Sequence, residues 1–137
     1  MPTFMLSSKQ RFIALTTLPF LTMGVNAQTP PLTVKQLELF SLEQQIPKLT
    51  THNIRARRIT VPAGGMIDKH EHSTRAGIVY VESGEIIEYR YKDDQKQSRT
   101  LTQGETLIED ATTVHSYINT SDKDCVLIAF DIPMKES

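Results

Sequence analysis

The sequence predicts an all-β domain, an antiparallel sandwich or barrel of short strands. Three observations carry that prediction. After Thr51 the apolar residues recur with a period of two, as on a half-buried strand, and not with a helical period. Turn formers interrupt the pattern at short intervals: Pro62 with Gly64 and Gly65, Ser83 with Gly84, Asp93 with Asp94, and Gly104. Nowhere does a strand lead into a helical pattern of the length that a parallel crossover needs.

The elements follow in order. Residues 1–27 are read apart from the domain. Lys9 and Arg11 make a basic start, and "FIALTTLPFLTMGV" is an apolar run shorter than the ~20 residues that cross a bilayer. Val25, Asn26 and Ala27 then suit a signal peptidase, so a signal peptide cleaved after Ala27 is expected, and with it a periplasmic or secreted bacterial protein. The competing reading is an N-terminal membrane anchor; after cleavage no stable span remains. Residues 28–50 form an N-terminal arm or linker that begins with Pro30 and Pro31. In it "TVKQLELF" reads as an edge strand or a helical turn, Ser41 with Gln44 resembles a helix cap, and Pro47 stops anything longer. Residues 51–137 are the domain proper. "HNIRARRITV", "GIVYVES", "GEIIEYRYK", "QSRTLT", "ETLIED", "HSYINT" and "CVLIAFDI" are its strands, seven of them, or eight with the arm. Arg55 and Arg57 alternate with Ala56 and read as one solvated sheet face, with Arg58 on the opposite face.

Composition narrows the function. The chain has 137 residues and a formal net charge of −1, and cleavage would remove two positive charges and no negative one. A faintly acidic domain lacks the basic footprint of a nucleic-acid binder. The single cysteine, Cys125, has no partner for an internal disulfide and lies in the apolar run "CVLIAF", where a buried core thiol is expected rather than a nucleophile. Tyr80 and Tyr117 likewise read as packing aromatics. The expected partner is a small-molecule ligand, with homodimerisation left open.

The chemistry gathers around histidine. His70 and His72 are separated by one residue, so on a strand both imidazoles share a face. His52 lies among polar residues with no partner in view and is read as surface. The glycine Gly64 is followed after five residues by His70-Glu71-His72, after four more by Gly77, and after six more by Gly84. A second series runs from Gly104 through five residues to Asp110-Ala111-Thr112, then two residues to His115 and three to Asn119. In these two motifs the chain resembles the cupin superfamily, as a small single-domain member.

The resemblance implies a jelly-roll (double-stranded β-helix) barrel with one metal inside it, held by His70, His72 and His115. It also exposes departures. The family's glutamate ligand falls on Gly77, and the proline and turn glycine of the second motif become Asp110 and Thr112. Glu109, Asp110 or Glu71 could replace the lost carboxylate. Glu71 is the poorest of these because it points away from its flanking histidines, and Glu109 is the candidate fourth ligand. Three imidazoles suit one divalent transition metal, among Zn, Fe, Ni, Mn and Cu, and leave coordination positions free for water or substrate. Arg75, three residues after His72, is a candidate contact for an anionic substrate at the mouth. Two functions are consistent with this set. One is a small metalloenzyme, oxygenase- or isomerase-like. The other is a non-catalytic protein that binds or senses a small ligand or metal; no nucleophile–base pair is recognisable in the sequence.

Overall fold

The computed structural model describes residues 28–43 and 45–136. The expected signal segment and Gln44 of the expected helix cap lie outside the described residues. Among those residues the chain forms nine strands, all paired antiparallel: β1 (Thr33–Ser41), β2 (Asn53–Val61), β3 (Met66–Glu71), β4 (Gly77–Ser83), β5 (Glu85–Lys92), β6 (Gln95–Thr102), β7 (Thr106–Glu109), β8 (Val114–Ile118) and β9 (Cys125–Asp131). They make two sheets, one in the order β1-β2-β9-β4-β7 and one in the order β3-β8-β5-β6. The interleaving of distant strands is that of a jelly roll, as the sequence leads one to expect. "TVKQLELF" resolves to the edge strand, and no described helix is long and apolar enough to cross a membrane.

Local chemistry sets the connections. Asp93 and Asp94 both adopt positive φ, 48° and 61°, and join β5 to β6 by the two-residue turn whose twist matches that of the strands. At Gly84, φ is 78° and a Cβ would stand 2.7 Å from the Asp124 carbonyl oxygen, so only glycine fits between β4 and β5. The turn before β8 lacks the proline and glycine of the family motif. Asp110 holds it instead, its carboxylate accepting from Thr112 N (2.9 Å), Thr112 Oγ1 (2.7 Å) and Thr113 Oγ1 (3.2 Å). Asn119, buried, donates its amide to the carbonyls of Val61 and Lys123 and so ties the end of β8 to the end of β2 and to the loop before β9.

Register sorts the interior into two levels. Along the inner face β2 runs Val61, Ile59, Arg57, Arg55, and its partner β9 runs Cys125, Leu127, Ala129, Asp131. On β4 the series is Val81, Val79, Gly77, on β7 it is Leu107 then Glu109, and on β8 it is Tyr117 then His115. β2, β9, β7 and β8 thus pass from apolar to polar in the same direction, and β4 ends there in a glycine. Val61, Val81, Ile86, Leu101, Cys125 and Leu127 form the core at one end, nearly free of solvent. The polar groups meet at the other.

This layering corrects one expectation. Arg55 and Arg57 do share a face, but it is the interior one. Both donate to the buried carboxylate of Asp131, Arg55 at 3.0 and 2.7 Å and Arg57 at 2.9 Å. Arg58 is the residue on the outer face, where it pairs with Glu82. Tyr80 is also corrected: it is exposed on the outer face of the larger sheet and does not pack in the core. Tyr117 does, and the buried Cys125 thiol is pushed up to about 11 by burial, as suits an inert core residue.

Candidate metal centre

His70 lies on β3, His72 one residue past its end, and His115 on β8. β3 pairs with β8 so that His70 and His115 are directly opposite, and this places all three rings at one point between the sheets. Ring centroids are 4.6 to 5.1 Å apart. His115 is fully buried, His72 nearly so, and His70 is partly open. His52 stands apart, bridging to Met134 at the far edge.

The hydrogen bonds fix what the rings present to one another. His70 Nδ1 lies 2.8 Å from the Asp68 carbonyl oxygen, His72 Nδ1 3.0 Å from that of Arg75, and His115 Nδ1 2.9 Å from Glu88 Oε1. A carbonyl or carboxylate oxygen can only accept, so each Nδ1 carries the proton and donates it. A neutral ring protonated at Nδ1 has a bare lone pair at Nε2. The Nε2 atoms of His72 and His115 are 3.1 Å apart, as are those of His115 and His70. Burial holds His70 and His72 below the ordinary imidazole range, which favours these neutral rings.

Three lone pairs crowded together without a proton between them are unfavourable unless a cation lies among them. An ion ~2.1 Å from two imidazole nitrogens sets them about 3.0 Å apart at a right angle and about 3.4 Å apart at the tetrahedral angle. The spacing of 3.1 Å falls within that window. The three histidines could therefore hold a metal ion, and their Nδ1–H bonds supply the orienting contacts that metal-binding imidazoles ordinarily have.

Glu88 was not singled out from sequence. It is buried behind His115 and also accepts from Arg90 Nε at 2.7 Å. Burial alone would raise its carboxyl, but the His115 and Arg90 hydrogen bonds hold it below the usual carboxylate range. Its sequence signal is slight: an acidic residue at an inward position of the apolar strand "GEIIEYRYK".

Glu109 is buried at the rim of the cluster. Its Oε2 is 3.6 Å from His72 Nε2 and its Oε1 3.5 Å from His115 Nε2, while Oε1 also accepts the Tyr117 hydroxyl at 3.1 Å. Burial first, and then the carboxylates of Glu109 and Glu88, push the Tyr117 phenol up, so it remains a donor. Glu71 is exposed and bonded to Ser73, and Asp110 is committed to its turn. Beside the histidines opens a cavity of about 330 Å³ lined by both Arg57 and Arg75 along with Ile59, Ile67 and Leu127.

Comparison with known proteins agrees with this geometry. The family model described as "Cupin domain" matches residues 57–131. No curated protein matches the sequence. Among solved structures, KdgF from Halomonas sp. is 17% identical with a TM-score of 0.56 over 77% of this chain and 81% of its own. A Cupin 2 conserved barrel domain protein from Salinispora arenicola is 15% identical with a TM-score of 0.56, over 73% of this chain and 74% of its own. A recombinant oxalate oxidase in complex with glycolate gives 16% and 0.58 over 77% of this chain, which spans about half (52%) of the oxidase. At such identities the likeness is one of fold.

Proposed function

From the premise that the chain belongs to the cupin family, we propose that it binds one divalent transition metal through His70, His72 and His115, with Glu109 as a fourth ligand, and uses it on a small molecule. The observation that carries this reading is the convergence of three proton-free Nε2 atoms beside a cavity. A metal bound there supplies Lewis acidity or, if redox-active, oxygen activation, which suits an isomerase- or oxygenase-like reaction. The chain's own groups do the rest. Glu88 and the Asp68 and Arg75 carbonyls hold the rings in their metal-binding tautomer, and the apolar walls of the cavity limit water around a bound molecule.

Protein prepared without a polyhistidine tag is expected to contain about one transition-metal equivalent per chain by elemental mass spectrometry. His72→Ala and His115→Ala are each expected to lose most of it while keeping the β-sheet circular dichroism spectrum. Metal content untouched by both substitutions would overturn the assignment. Oxygen uptake by the loaded protein then separates an oxygenase-like reaction from an isomerase-like one.

The same proposal includes export, supported by Lys9, Arg11 and the apolar run before Ala27. It also includes a second copy of the chain on the outer face of the larger sheet, supported by the apolar side chains exposed there.

A further inference from the structure

Beside the histidines, the cavity is flanked by a cluster of arginines that outnumber their nearest acid. Three guanidinium groups, those of Arg55, Arg57 and Arg75, converge on the single carboxylate of Asp131. Arg55 takes it in a bidentate fork and faces away from the cavity. Arg57 and Arg75 face into it. Arg57 reaches Asp131 through one nitrogen only, and its Nε is buried with no hydrogen-bond partner among the described residues. Arg75 is held more loosely, Nε to Oδ2 at 3.5 Å. A buried cationic N–H without an acceptor marks Arg57 as short of partners, and its side chain lines the cavity together with that of Arg75.

We propose that Arg57 and Arg75 seat the carboxylate of a small organic acid whose apolar body lies on Ile59, Ile67 and Leu127 and whose second oxygen reaches the histidine cluster. The proposal rests on the metal-site reading for the second oxygen alone; the carboxylate seat stands on the arginines. A flat carboxylate can bridge the two guanidinium groups edge-on, and the volume of about 330 Å³ sets a small-molecule limit. Burial lowers the proton affinity of the Arg57 guanidinium, the mark of a cation stripped of water and short of counter-charge. Of the two acids on the cavity wall, Asp68 is exposed, and Glu109 acts on Arg57 by its charge alone while its close contacts are with His72 and His115.

The probe is 2-hydroxy-4-methylpentanoate, with its uncharged amide and inorganic phosphate as the other arms. Calorimetric titration of the metal-loaded and the metal-stripped full chain reads each affinity. The acid is expected to bind at least tenfold more tightly than the amide in both forms. Arg57→Met is expected to remove that preference while leaving metal content unchanged, and Arg75→Met to reduce it. Equal binding of acid and amide by the unmodified protein would overturn the seat without any variant having to fold. Phosphate binding as tight as the acid would overturn the carboxylate class. If the protein held no metal yet kept the acid–amide preference, the seat would stand and the metal reading alone would fall.

Discussion

Gly77 and Glu109 are direct cross-strand partners on β4 and β7, and between them they hold one carboxylate. The glycine is not there for its backbone freedom, since its φ is not among the positive ones. A Cβ at position 77 would meet Glu109 Oε2 at 3.0 Å and the Phe130 carbonyl oxygen at 3.1 Å, so the neighbour's acid group fills the space that a side chain would enter. On the proposed reading, Glu109 stands in for the ligand expected at 77. Glu109→Gln is therefore expected to weaken divalent-metal binding by about 10–100-fold, the range for losing a close supporting group of a metal site. Gly77→Glu in the same protein as Glu109→Gly is expected to recover most of that loss. Calorimetric metal titration checks both, and wild-type affinity in Glu109→Gln would reduce the residue to a partner of Tyr117. Glu109 was legible in the sequence because strand alternation points it the same way as the motif. Arg57 was not, because alternation shows which residues share a face but not which face is inside. That choice was made by Asp131, a partner 74 residues away in the chain.

At the level of elements, β2 and β9 are joined by their ladder and also by the cluster on Asp131. Burial would raise this carboxyl, but the Arg55 hydrogen bond and the charges of Arg57, Arg55 and Arg75 hold it below its ordinary value of 3.8. The folded-state value is thus the lower one. The stabilisation it brings is present above about pH 4 and is lost as pH falls through the folded value. Thermal melts of the wild type are expected to be level near neutrality and to drop below about pH 4. Asp131→Asn is expected to cost about 2–3 kcal/mol at pH 7, less than a fully buried pair because the arginines retain some solvent. It is also expected to flatten the acid limb; parallel profiles would show that another group sets it. Most strands were readable from their period and their turns. β3 was not, because "MIDKHE" has no clean alternation and its ladder shifts register between Ile67 and His70.

Taken as a whole, the molecule exposes an apolar face on its larger sheet. Cross-strand pairing lines up Ala56, Phe130, Ile78 and Ile108 on the outside of the larger sheet, with Ile54 and Tyr80 alongside. Ile108 is 67% exposed, and Ile78 and Phe130 are each 48%. Five strands ~4.8 Å apart and about seven residues long make a face on the order of 500 Å² before side-chain relief is counted. A standard interface takes about 800 Å² from each partner, so this face is of the right order. Arg58 and Glu82, on the same face, neutralise each other within one chain. Sedimentation equilibrium is expected to give a dimer, and Ile108→Glu a monomer that keeps its metal. A wild-type monomer at tens of micromolar would remove the second copy. The barrel and the histidine triad were both legible from motif spacing. This face was not, because an outward isoleucine on a strand reads the same as an inward one until the sheets are stacked.

Among the described residues β3 is the end strand of its sheet, with a ladder to β8 on one side and none on the other. It carries His70, and His72 follows directly after it. A single swing of this strand away from β8 would therefore withdraw two of the three imidazoles together, while His115 stays held by the β8–β5 ladder. Loading and release of an ion would then be a gated event, with a rate set by the breathing of one edge strand and not by successive nitrogen exchange. Exchange of the amide hydrogens at Ile67 and His70 would report the population of the opened strand.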